Sequence, residues 1–369
     1  MIKVLYLYTE VMGYNIPIFE QLVKRYGATV DVVHWDQNKK TPYVPNVTTQ
    51  NIRFHQRSKF TPQSLCNFVS DLKPNLVYTS GWQDKGYRPA LQQLKRAGVP
   101  IVMGLDTQWN NSLRQRLGAK LIKHAYKKRY FSYAWVPGPL QYECAARLGF
   151  EHDEIITHLL TGNTNIFSEA ASALEQEKTQ QYPKQFLYVG RLTESKGIDT
   201  LIDAFKRYRH ANPKGWGLTC VGNGPLESVL QHQVGITIKP FAEQASLATL
   251  ARQMGALILP SRYEPWGVVA HEFATAGLPL LLSNKVGARQ QLLIDGLNGY
   301  TFAAGSVNDL AFKMNQLASK PDDDLLAMAK ASLKLASALS PVIATASFVS
   351  VLERHQLVVT NNISKNVPH

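Results

Sequence analysis

EPWGVVAHE, residues 264–272, places two glutamates, Glu264 and Glu272, eight positions apart. Pro265 and Gly267 oppose a helix directly after the first glutamate, whereas Val268 onward permits one. The stretch follows GALILP, a short apolar run that reads as a buried strand. It precedes ATAGLPLLLS, where Gly277 suits the C′ position of a helix, Pro279 lies beyond, and a new apolar run begins. The expected order is strand, loop SRYEPWG, a helix from Gly267 or Val268 to Ala276, then strand. Glu264 falls in a loop at the mouth of a sheet, and Glu272 one turn inside the helix.

The same alternation runs along the whole chain. In the first half the apolar runs are IKVLYLY, TVDVVHW, LVYTSG, PIVMGLD, YAWVPG and EIITHLL, separated by helical stretches such as IPIFEQLVKRY and YRPALQQLKRAG. The second half repeats the scheme with QFLYVG, GLTCVG, GITIKP, GALILP and LPLLLS. After QFLYVG, Ile198, Leu201, Ile202, Phe205 and Tyr208 recur at helical spacing. Strands alternating with helices build parallel sheets covered on both sides, so two doubly wound α/β domains in tandem are expected. The polar stretch LTGNTNIFSEAASALEQEKTQQYPKQ separates them, and we place the domains at 1–165 and 166–345. A C-terminal helix and tail, 346–369, would follow, fraying from VVTNNISKNVPH at 358 on.

Composition agrees with a folded chain of two domains: 369 residues, 45% hydrophobic and 18% charged. No window approaches the roughly 18 continuous apolar residues of a membrane span. The opening apolar run stops at Thr9 and Glu10, short of a signal-peptide core. Cys66, Cys144 and Cys220 fit neither a disulfide framework nor zinc spacing, which points to a reducing compartment. Forty Lys and Arg against 27 Asp and Glu give a net charge of +13, which calls for an anionic partner.

Ligands of open parallel sheets bind beyond the carboxyl ends of the strands, so the loops there decide the chemistry. After FLYVG comes RLTESKG, with Gly190, Arg191, Lys196 and Gly197 opening a helix. Two cations beside a helix N-terminus suit a phosphate or diphosphate; a solvated basic loop has the same composition. After LTCVG comes GNGP, where Gly222 and Gly224, around Asn223, allow close backbone approach to a ligand or simply form a turn. Glu272 can accept hydrogen bonds from vicinal hydroxyls of a ribose or sugar ring, and the N–H groups of Gly267 and Val268 can serve a phosphate or sugar oxygen. The alternative is a helix-dipole partner at Glu272 and a solvated loop at Glu264.

Taken together, GRLTESKG, GNGP and EPWGVVAHE resemble the second domain of family 4 glycosyltransferases, which have the GT-B fold of two Rossmann-like domains facing a central cleft. A glutamate pair with seven residues between is a hallmark of that family, and ATAGLPLLLS and GLNGYTF (296–302) follow it here as the family pattern requires. The resemblance is specific from about residue 185 to 318 and architectural before that. It implies retaining transfer of a sugar from a nucleotide diphosphate donor, with no metal and no cofactor. Arg191 and Lys196 would bind the donor diphosphate and stabilise the leaving charge. Glu272 would hold the ribose and Glu264 the transferred sugar. Gly13, Gly190, Asn223, Gly224, Pro265, Trp266, Gly267 and Val268 would complete the donor site. Lys239, Pro240 and Phe241 would border the base. The retaining mechanism is a same-face attack, distinct from the two-carboxylate chemistry of many glycosidases.

The first domain departs from the pattern. The glycine-rich loop after the first strand shrinks to TEVMGYN with the single Gly13, and Leu105 in IVMGLDTQW stands where the family's histidine would be. Asp106 is then a candidate catalytic or acceptor contact, or a helix cap. Gly81, Trp82 and Asp84 are candidates for the acceptor side.

Between 110 and 130 there are seven Lys and Arg and no acid. Leu113, Leu117, Leu121 and Ala125 form one stripe of a helix over 112–130, and Tyr126, Tyr130 and Phe131 would add a basic-aromatic face. Such a helix binds an anionic membrane surface, or is an ordinary domain helix with a solvated face. The leading expectation is a cytoplasmic glycosyltransferase, peripheral on the inner face of the membrane, acting on a glycan or lipid-linked acceptor in surface polysaccharide or glycolipid assembly. Transfer to a small soluble acceptor, or a phosphorylase or synthase on the same fold, is the alternative within enzymes. A basic nucleic-acid-binding protein is disfavoured because no nucleic-acid module is present. A nicotinamide dehydrogenase is disfavoured because no Gly-x-Gly-x-x-Gly follows the first strand.

Overall fold

The computed structural model describes residues 1–37, 49–169, 171, 181–231 and 233–365. The chain divides into two compact units, 1–160 together with 341–369, and 161–340. Part of the polar stretch read as the change-over, residues 172–180, lies outside the described residues.

The first unit is built on a parallel sheet of order β3-β2-β1-β4-β5-β6-β7. Its strands are β1 Lys3–Leu7, β2 Thr29–His34, β3 Ile52–Gln56, β4 Leu76–Thr79, β5 Ile101–Gly104, β6 Tyr133–Trp135 and β7 Ile155–Ile156. Val4, Leu5, Tyr6 and Leu7 of β1 are all buried, as a strand covered on both faces requires. The second unit carries the order β10-β9-β8-β11-β12-β13. These strands are β8 Gln185–Val189, β9 Gly217–Val221, β10 Ile236–Lys239, β11 Ala256–Leu259, β12 Leu280–Ser283 and β13 Gly299–Phe302. In both sheets the order reverses once, between β1 and β4 and between β8 and β11. A topological switch point of this kind opens a crevice at the carboxyl ends of the two central strands.

The helix Ile198–Ala211 buries Ile198, Leu201, Ile202, Phe205 and Tyr208, the face that its periodicity marks. The final helix ends later than its sequence suggests. It runs from Pro341 to Lys365, with proline at its first position. The stretch read as a fraying tail from 358 is therefore helical to Lys365. Its Val, Thr and Asn residues lower helix propensity by only about half a kcal/mol each, too little to stop a helix before Pro368. This helix packs on the first unit. Phe348 stacks on Trp135 with ring centroids 4.9 Å apart and planes at 7°, and Ala344 and Val351 are fully buried beside it. Residues 322–356 are long and apolar enough to cross a membrane by composition alone. They form two helices, Asp322–Ala336 and Pro341–Lys365, that belong to different units.

The basic segment reverses part of the expected arrangement. It is helical from Leu113 to Tyr130, with a π-turn over Ile122–Tyr126. Tyr130 and Phe131 are in the core, at 9% and 2% exposure, and Tyr126 is half-buried against the Arg88 guanidinium, so no basic-aromatic face forms. Ala119 and Ile122 provide the rest of the inner face. Leu113, Leu117 and Leu121 point to solvent at 74%, 68% and 55% exposure. The segment's large aromatics bury more apolar area than leucines do, so they take the inner face and the leucine row is left outside.

Candidate active site

The loops after β8 and β11 meet at the switch point of the second unit. The β11 loop is tied to the segment after β12: Gly287 N–H donates to Glu264 O at 3.0 Å, and Ala288 N–H to Trp266 O at 2.8 Å. Trp266 is 2% exposed, so it anchors this loop in the core and presents no surface to a donor. Gly267 caps the helix Val268–Thr275 with φ at +98°, and an added Cβ would come within 3.2 Å of Glu264 Cγ and Val286 Cγ1. The turn is therefore specific to glycine, and the first N–H groups of the helix that it starts have no intrahelical partner.

Lys196 Nζ forms an ion pair with Glu264 Oε2, linking the β8 loop to the β11 loop with both side chains less than a fifth exposed. Arg191 is exposed on the same loop, and its carbonyl accepts a hydrogen bond from Tyr188 Oη at 2.8 Å. The loop after β9 lies directly against it. Leu192 N–H donates to Asn223 O at 3.0 Å, and a Cβ on Gly224 would stand 2.4 Å from Leu192 O. Asn223 Oδ1 accepts from Phe241 N–H at 3.1 Å, so the loop after β10 joins the same group. GNGP thus brings two loop backbones into contact, a role that also fixes where Arg191 sits.

Glu272 is 5% exposed on the helix Val268–Thr275. Burial pushes its carboxyl up to about 7, against a bond from the Gln244 amide that lowers it. Gln244 Nε2 donates to Oε1 at 2.6 Å, and Oε2 has no hydrogen-bond partner among the described residues. His271, the preceding residue, is fully buried. Its Nδ1 accepts from Gly162 N–H at 2.8 Å and its Nε2–H faces Ala336 O at 3.1 Å. Burial lowers it to about 4, so the imidazole is neutral and serves as a structural strut.

Sequence reasoning missed three members of this group. Arg262 reaches from the β11 loop to Asp199 and to Glu194 O at 2.7 Å, clamping the β8 loop from below. Neither Arg262 nor Asp199 belongs to a motif, and their pairing depends on contact between loops far apart in sequence. Gln244 likewise carries no local signal.

In the first unit, Gly13 opens a short 3₁₀ turn, Gly13–Asn15, after β1. Trp82 follows β4 and is 37% exposed. Asp84 is engaged in its own loop, accepting from Trp35 Nε1 and Arg57 Nε at 3.0 Å each and from Gly86 N–H at 2.8 Å. It caps and pins the turn before the helix Arg88–Arg96, which accounts for it without an acceptor. Leu105 is 5% exposed and packs in the core, so this position contributes no polar group, whereas Asp106 beside it is exposed. Among the described residues no three His, Cys, Asp or Glu side chains gather as a metal site would need.

Residues 171–334 match the family described as glycosyl transferases group 1. Over 146 residues the chain is 34% identical to a glycogen synthase of Mycobacterium tuberculosis, a stretch that covers 38% of this chain and only 35% of the synthase. Among solved structures, Anabaena Alr3699/HepE in complex with UDP superposes with a TM-score of 0.72 over 95% of this chain and all of that one, at 15% identity. Sucrose-phosphate synthase from Thermosynechococcus elongatus gives a TM-score of 0.71 at 18% identity, covering 97% and 99% of the two chains. The fold is therefore α/β with two Rossmann-like units on parallel sheets, shared with glycosyltransferase structures of the GT-B class.

Proposed function

We propose that the chain is a retaining glycosyltransferase of family 4, moving a sugar from a nucleotide diphosphate donor to a glycan or lipid-linked acceptor. The observation that carries this reading is the Lys196–Glu264 ion pair between the β8 and β11 loops at one switch point, with Arg191 on the first of these loops and Glu272 on the helix after the second. Two cations at strand ends suit a diphosphate, and a buried carboxylate with one open oxygen suits a ribose hydroxyl. The UDP held by the Anabaena protein supports UDP as the nucleotide here. In the reaction the bond from the anomeric carbon to the diphosphate oxygen breaks, and the acceptor oxygen bonds to that carbon on the same face. The acceptor proton leaves with the diphosphate, whose charge Arg191 and Lys196 stabilise. Lys196 exchanges its Glu264 partner for phosphate, which frees Glu264 for the sugar hydroxyls. No metal or cofactor takes part.

The test is thermal stabilisation by UDP, GDP, ADP and CMP, with Glu272→Ala alongside. Ligand at about 100 times its dissociation constant adds roughly 2.7 kcal/mol. A shift with UDP that the variant abolishes supports the assignment; an equal shift in the variant contradicts it.

The exposed leucine row favours a lipid-linked acceptor over a small soluble one. Leu113, Leu117 and Leu121 lie among exposed Arg114, Arg116, Lys120, Lys123 and Lys128, with no acid between Asp106 and Glu143. An apolar ridge flanked by cations fits an anionic bilayer surface. In this reading the protein works on the cytoplasmic face of the membrane, in the assembly of a surface polysaccharide or glycolipid.

A further inference from the structure

Gln244 begins the helix Gln244–Ala251, at the turn after β10. Its side chain spans the space to the helix Val268–Thr275 and donates from Nε2 to Glu272 Oε1 at 2.6 Å. This fixes one carboxylate oxygen in a buried place and leaves the other open among the described residues. We infer that Gln244 is a positioning residue for the nucleotide. By holding Oε1 it turns Oε2 toward the ribose hydroxyls and favours the acceptor-only form of Glu272. The inference rests on the donor reading above and deepens it.

The chemistry is asymmetric. A ribose hydroxyl donates, so it needs an acceptor. An ionised carboxylate is acceptor-only, whereas its acid form carries a proton of its own. Burial favours the acid form of Glu272, and the Gln244 bond opposes it. The titratable groups around it leave this balance alone. His271 on the same helix is neutral, Lys196 and Glu264 on the β8 and β11 loops are paired with each other, and Glu243 beside Gln244 is exposed. The segment through Gly162, which packs on Glu272, carries no charge. Gln244 thus biases Glu272 toward its ionised form, against burial, while itself staying uncharged.

The test is UDP affinity by calorimetry from pH 6 to pH 9, for the wild type, Gln244→Leu, Gln244→Ala and Glu272→Gln. Removing the amide shifts Glu272 further toward its acid form, so UDP affinity in both Gln244 variants should fall about tenfold at pH 7. The gap should close to within about threefold at pH 9, where the carboxylate ionises without help. Glu272→Gln should bind weakly at every pH. A loss that is equal at all pH values in both Gln244 variants marks Gln244 as mere packing and overturns the inference, as does unchanged affinity. Wild type that binds UDP while Glu272→Gln binds it equally well places the ribose elsewhere and also overturns it. No UDP binding by the wild type at any pH removes the donor reading itself, a result distinct from the others.

Discussion

Arg262 lays its guanidinium along the carboxylate of Asp199, with Nη1 2.8 Å from Oδ1 and Nη2 2.5 Å from Oδ2. The pair joins the β11 loop to the helix that follows β8, just below Lys196. Each side chain is more than 40% exposed, so screening keeps its worth to stability at about 1 kcal/mol or less. Its effect should appear in the site instead. Arg262→Gln should lower turnover by about tenfold through misplacement of Lys196, while the melting temperature stays within a few degrees. Steady-state rates and a melting curve on the same preparation check both halves.

Glu264→Gln keeps the size of the side chain but removes the charge that Lys196 meets. Lys196 is then left without its partner until a diphosphate arrives, so affinity for UDP should rise or hold. The rate with a UDP-sugar should fall by about 100-fold, if a hydroxyl of the transferred sugar depends on that carboxylate in the transition state. Lys196→Ala should instead weaken UDP itself. Product-inhibition constants separate the two variants.

Glu272 lends itself to a stability measurement without any ligand. Its folded-state carboxyl is raised to about 7 from an ordinary 4.5. Its contribution is therefore fully present below about 4.5 and is lost as pH rises through 7, an effect on the order of 3 kcal/mol. Glu272→Gln does not titrate, so its melting temperature should gain on the wild type between pH 5 and pH 8. His271, lowered to about 4, acts in the opposite direction, with stability lost as pH falls from about 6.5 through 4. It is present in both proteins, so the difference between them reports Glu272. A difference that stays flat across this range would sink the assignment.

The leucine row can be removed at little structural cost because it is already in water. Leu113→Ser, Leu117→Ser and Leu121→Ser combined should leave the melting temperature within a few degrees. Flotation with vesicles containing anionic lipid should fall several-fold, as insertion of apolar side chains and attraction by cations act together. Equal recovery of the wild type with neutral and anionic vesicles would argue against a lipid surface. A concentration-dependent dimer abolished by the triple variant would show that a second copy covers the ridge.

Phe348→Ala empties a fully buried site against Trp135 and Tyr6. It should destabilise the first unit by about 3–5 kcal/mol. Urea unfolding should split into two transitions, with UDP binding retained after the first.

The strands and the β11 loop were legible because their signals are local. GALILP, SRYEPWG and the Gly277–Leu278–Pro279 stop each depend on a few neighbouring residues, and the helix Val268–Thr275 forms where they place it. The outer face of the 113–130 helix was misread in part. Spacing four finds a stripe, but spacing alone does not say whether the leucines or the tyrosines win the core, and a π-turn changes the phase midway. Trp266, Asp84 and Gln244 were opaque for one shared reason. Each owes its role to a partner far away along the chain: the 286–288 segment, Arg57 and Trp35, and Glu272. Their roles appear only once the loops are folded against one another.

The return of residues 341–356 to the first unit has a consequence for how the protein is made. Phe348, Ala344 and Val351 complete a core that begins with Val4 and Tyr6. A ribosome must translate all of the second unit before it supplies them. A nascent chain released at Ser340 would carry a finished second unit and a first sheet with an open apolar face. During synthesis the second unit is complete before the first, whose core closes only when the last helix emerges.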